Sequence, residues 1–135
     1  EACVKTEPFI SRMEVLERQA NSHVLLLLIN HLWVESLPGK LFEYIANRRP
    51  ILALIPPEGD AAELIKSSNA GIIVPWPDVQ EARKQILSLY EKYKQGSLPP
   101  PELVYEAVRP FERKTTAAQL ADLFNSIVGR TNEDS

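Results

Sequence analysis

The chain has 135 residues, 44% of them hydrophobic and 24% charged, which is globular composition with enough length for one buried core. A net charge of −3 and scattered basic residues, with Arg48–Arg49 the densest pair, argue against a nucleic-acid binder. The single cysteine, Cys3, excludes an internal disulfide and a cysteine-based zinc site, and His23 and His31 are too few to build a metal centre at any recognisable spacing.

The first residue is Glu1, with no signal peptide in view, so the chain reads as a piece of a longer protein from a soluble, reducing compartment, the cytoplasm. Its longest apolar run, "HVLLLLI", is far too short to span a bilayer.

Short apolar runs alternate with amphipathic segments, the pattern of a parallel α/β sheet. "CVKTEPFI" (3–10) predicts a short strand leading into a loop. Ser11 and Glu14 form a Ser-x-x-Glu capping box that opens a helix to about Ala20. "HVLLLLI" (23–29) is apolar throughout, as in a strand covered on both faces. Pro38 and Gly39 open a second helix, ended by Pro50, and "ILALIP" (51–56) predicts the next strand.

"GDAAELIKSSNAG" predicts a helix capped by Asp60, with Glu63 completing the box and Gly71 as its left-handed terminator. A strand follows at "GIIVPW" (71–76), then a helix whose stripe Val79, Ala82, Ile86, Leu89/Tyr90, Tyr93 predicts core. A stiff proline linker, "SLPPPE" (97–102), precedes a short helix near "ELVYEAV", a break at Pro110, and a last helix from about Lys114. That helix gathers Ala117, Leu120, Ala121, Phe124, Ile127 and Val128 on one face, again read as core, and residues 130–135 read as a frayed tail.

Three successive βα units with right-handed crossovers imply a doubly wound parallel sheet. Ligands of such sheets sit beyond the carboxyl ends of the strands, where the loop after "HVLLLLI" lies. That loop and the helix after it read "ESLPGKLFEY": Glu35, seven intervening residues, then Glu43. The helix start offers unpaired N–H groups and a positive dipole end, which suit a diphosphate. Glu43, one turn inward, could accept two hydroxyls of an attached ribose, and Glu35 would reach the group on the other side. Lys40, Glu43 and Asn47 form one polar stripe, with Leu41, Phe42, Ile45 and Ala46 toward the sheet. Lys40 reads equally as a phosphate neighbour or as an i,i+3 partner of Glu43. His23 and His31 read as strand-end and loop residues, and Trp33 and Trp76 as packing or rim residues.

The run "ESLPGKLFEYIANRRPILALIPPEGDAAELIKSSNAGIIVP" resembles the donor-binding, C-terminal half of GT-B glycosyltransferases, in particular the family 4 group (glycosyl transferases group 1). Glu35 and Glu43 match that group's two glutamates in spacing and context. The resemblance implies a Rossmann-like domain over residues 1–129, lacking its first strands, and a nucleotide-diphosphate sugar as substrate. It implies that Glu43 binds the donor ribose and that Glu35 is the catalytic-site acid beside the transferred sugar. Backbone groups of Ser36, Leu37 and Gly39 would meet the sugar or pyrophosphate, with Lys40 nearby, and Phe9 and Ile10 would lie against the nucleobase. Most members retain anomeric configuration and need no metal, so no cofactor is expected.

The chain departs from the family in lacking the N-terminal domain that binds the acceptor, and the early loop that supplies an Arg and a Lys to the phosphates. Alone it is expected to be inactive and to self-associate along the strand at 23–29, which loses its neighbour. The full-length protein could associate peripherally with a membrane. A nucleotide-sugar epimerase of the same fold, or a partner-binding module without catalysis, stand as alternatives.

Overall fold

The computed structural model describes residues 4–133. They divide into two compact units, one ending at Leu103 and the other beginning at Val104.

In the first unit, α1 (Arg12–Asn21) starts from the expected capping box: Glu14 N–H donates to Ser11 Oγ at 3.3 Å, and Ser11 N–H donates to Glu14 Oε2 at 3.0 Å. These bonds to Ser11 hold the Glu14 carboxyl below its ordinary pKa. Residues 4–10 carry no regular structure, so the strand expected at 3–10 does not form over its described part; Cys3 lies outside the described residues.

Three strands follow, β1 (Leu25–Leu28), β2 (Ile51–Ile55) and β3 (Gly71–Pro75), all parallel and in the order β1-β2-β3. Leu25 pairs with Ile51, and Ile51 with Gly71. Between them run α2 (Gly39–Ala46) and α3 (Asp60–Ser68), and after β3 comes α4 (Val79–Lys94). The described chain is therefore α/β, with a small open parallel sheet.

The strand order decides which faces are covered. Two right-handed crossovers stepping the same way put α2 and α3 on one face of the sheet. There Leu25, Leu27, Ile51, Ala53 and Ile55 are buried, as are Leu41, Tyr44 and Ile45 of α2 and Leu64 and Ile65 of α3. Tyr44, not Phe42 or Ala46, is the third buried side chain of α2. Helix α4 covers the other face, where Ala82 and Leu89 pack with Leu52 and Val74.

That cover stops short of β1. Leu26 and Leu28 remain 52% and 57% exposed, so this strand is buried on one face only, against the expectation of two. The α4 stripe is likewise half core: Ala82 and Leu89 are buried, whereas Val79, Ile86, Tyr90 and Tyr93 are exposed.

Two local expectations are corrected at α3. Its N-cap is Gly59, with no side-chain cap bond, so Asp60 is the first helical residue and the Asp60–Glu63 box does not form. Asn69, at φ 54°, ends the helix in the left-handed conformation instead of Gly71. Gly71 begins β3, where its lack of a side chain serves the close approach of Ile51. Helix α4 is capped by Asp78, whose Oδ1 accepts from Glu81 N–H at 2.9 Å. The proline stretch after it is tied down by Asn69 Nδ2, which donates to the Glu102 carbonyl at 3.0 Å.

The second unit holds α5 (Tyr105–Val108), a 3-10 turn at Arg109–Phe111 and α6 (Arg113–Glu133). The break falls at Pro110 as expected. Helix α6 continues through Glu133 into the segment read as a frayed tail, whose last two residues lie outside the described ones. Leu120, Leu123 and Phe124 are each more than half exposed, so the α6 stripe is not core. Among the described residues no helix is long and apolar enough to cross a membrane.

Candidate functional site

The loop leaving β1 is built from local bonds. Asn30 caps a 3-10 turn at His31–Trp33, its Oδ1 accepting from Leu32 N–H at 2.9 Å. Ser36 N–H then donates to the Trp33 carbonyl at 3.1 Å. The Val34 carbonyl accepts from Asp60 N–H at 3.2 Å, which ties this loop to the start of α3. Gly59 permits that link, since a Cβ there would stand 2.5 Å from the Val34 oxygen.

The six residues from Leu32 to Leu37 line a cleft of about 610 Å³. Glu35, Ser36 and Leu37 thus share one concavity, joined by Trp33, whose side chain is also exposed. Gly39, Lys40 and Glu43 are not part of that lining. Pro38 is the N-cap of α2 and has no side-chain cap bond. The first two amides of the helix, at Gly39 and Lys40, therefore lack a capping side chain, whereas Leu41 N–H donates to the Pro38 carbonyl at 2.9 Å.

Glu43 sits one turn into α2 with its side chain 30% exposed. Its Oε1 accepts a hydrogen bond from Arg12 Nη2 at 3.1 Å, and no described residue engages Oε2. Lys40 is exposed and makes no ion pair among the described residues, so the i,i+3 partnership with Glu43 is replaced by Arg12. Beside Glu43, burial and then the Glu43 charge raise the pKa of the Tyr44 hydroxyl.

Two further bonds run in the same order from the end of α2 and the turn after it to the last turn of α1: Asn47 Nδ2 donates to Gln19 Oε1 at 3.1 Å, and Arg49 Nε to the Ala20 carbonyl at 2.9 Å. The helices therefore lie side by side with their starts together. Phe9 is fully exposed and Ile10 is half-buried, both in the irregular segment just before α1. Arg12 is the residue that sequence reasoning missed. The capping box marked it as the first residue of α1, but its approach to a side chain 31 positions away depends on how α1 packs.

Among the described residues no three His, Cys, Asp or Glu side chains stand close enough to hold a metal. His23 packs edge-on to Tyr93 with ring centres 4.4 Å apart, which places it against α4 and away from the β1–α2 loop. No family model, curated protein or solved structure matches the chain.

Proposed function

We propose that this chain is the donor-binding part of a GT-B glycosyltransferase of the family 4 type, and that its substrate is a nucleotide-diphosphate sugar. The observation that carries the reading is a loop and helix start at the carboxyl end of β1, with one glutamate on each side of an N-terminal turn whose first two amides, at Gly39 and Lys40, have no side-chain cap. Glu43 accepts the two ribose hydroxyls, because a carboxylate has about four lone-pair sites and Arg12 takes one. Glu35, which lines an open cleft, meets the sugar to be transferred. The uncapped amides at Gly39 and Lys40, with the Lys40 ammonium, hold the diphosphate between them. Transfer itself needs the acceptor-binding domain, so the isolated chain binds donor weakly and turns nothing over.

Titration of the chain with UDP and GDP, followed by NMR, tests this. Saturable binding that Glu43→Ala weakens about ten-fold or more is expected, since a hydrogen bond to a charged group contributes about 1.5–3 kcal/mol. Glu35→Ala should leave nucleotide affinity unchanged while removing turnover in the full-length protein. Absence of saturable binding, or an unchanged affinity in Glu43→Ala, would refute the reading.

A second reading has one observation in its favour. A groove of about 450 Å³ lies between α4 and the residues entering β1, with Ile86, Tyr90 and Tyr93 on its helical wall. Exposed apolar and aromatic side chains of this kind suit a protein-binding module without catalysis. Loss of partner capture on Tyr90→Ala, in a chain that binds no nucleotide, would favour it. A nucleotide-sugar epimerase would share the donor contacts, and assay of the full-length protein for epimerised against transferred sugar separates the two.

A further inference from the structure

We infer that Arg12 is a positioning residue that turns the Glu43 carboxylate toward the ribose and so sets a preference for nucleoside diphosphates with an intact vicinal diol. The inference rests on the donor-site reading above and adds a residue and a selectivity to it.

A glutamate on a helix surface rotates freely unless something holds it, and a freely rotating carboxylate discriminates poorly between one hydroxyl and two. Arg12 supplies the hold. Its Nη2 meets Oε1 at 3.1 Å, whereas Oε2 has no partner among the described residues. The carboxylate is thus anchored by one bond at Oε1, while its remaining lone-pair sites on both oxygens can still accept from two adjacent hydroxyls.

The placement of Arg12 also calls for an explanation beyond fastening the helices. As the first residue of α1 it stands at the positive end of its own helix dipole, the unfavourable end for a cation. The bonds Asn47–Gln19 and Arg49–Ala20 already tie the two helices at their far ends. The Arg12 side chain is 78% exposed, so the pair contributes little to stability and remains reachable by ligand.

The experiment titrates UDP and 2′,3′-dideoxy-UDP into the wild-type chain and into Arg12→Ala, Arg12→Lys and Glu43→Ala. Thermal melting checks that each variant is folded. The wild type is expected to prefer UDP about ten-fold or more, as one charged hydrogen bond allows. Glu43→Ala abolishes the preference. Arg12→Ala narrows it to about three-fold or less with an unchanged melting curve, and Arg12→Lys restores part of it, because lysine keeps the charge without the planar fork. If Arg12→Ala keeps the full preference while Glu43→Ala loses it, Arg12 only fastens α1, and the inference fails while the donor site stands. If Arg12→Ala binds UDP more tightly, Arg12 competes with ribose, and the inference again fails. If the wild type shows no preference or no binding, the donor-site reading fails and takes the inference with it.

Discussion

Replacing Gly71 by alanine tests the sheet on which every functional statement above depends. A Cβ at this position would lie 2.8 Å from both the carbonyl carbon and the Cβ of Ile51, and nearer still to the Ile51 oxygen. The obstacle is backbone, which cannot swing aside as a side-chain tip can. Relief requires β3 to withdraw from β2, against the bond from Ile51 N–H to the Ala70 carbonyl at 3.2 Å and the ladder that follows it. Overpacking typically costs about 1–3 kcal/mol, and an immovable neighbour places this case at the upper end. The gain from restricting the unfolded chain returns about 0.4–1 kcal/mol, leaving a net loss of about 2 kcal/mol. For a chain of this size that lowers the melting temperature by roughly 8 °C. Circular dichroism melts and urea titrations read it directly, with the midpoint falling and the slope unchanged. An unchanged or raised midpoint would show that β3 does not pair with β2 in this register.

Gly39→Ala is the functional counterpart: nothing lies within 4 Å of the added Cβ, so stability should hold within about 0.5 kcal/mol while UDP affinity falls, as paired melting and NMR titration would show. The Tyr44 hydroxyl should titrate above a free tyrosine in an ultraviolet pH titration, and Glu43→Gln should lower its pKa by removing the neighbouring charge; an identical curve would remove Glu43 from its surroundings. At the outer edge of β1, Leu28→Lys should reduce self-association measured by sedimentation, because an apolar strand paired on one side only recruits another chain; a wild-type chain that stays monomeric at high concentration would overturn this.

The order of helices and strands after residue 10 was legible because its signals are local. Ser11 with Glu14 forms a cap within a few residues, and each apolar run is long enough to mark a strand. Errors arose where the outcome depends on neighbours. "LLLL" looks the same whether one face or both are covered, and only the position of α4 over β2 and β3 leaves Leu26 and Leu28 bare. Gly71 reads equally as a helix stop or a tight strand contact, and the register with Ile51 decides between them. At the candidate site, spacing along one loop was enough to bring Glu35, Ser36 and Leu37 together. The partner of Glu43 was not legible, since Lys40 is the near cation in sequence and Arg12 the near one in space.

The bond between Val34 and Asp60, made tight by Gly59, has a mechanical consequence. It couples the turn bearing Glu35 to the next crossover, so the acid cannot swing as a flap without dragging α3 along. Under the donor-site proposal, fitting donors of different size would then fall to the exposed side chains of Leu32 and Trp33 at the cleft and not to a shift of the loop backbone.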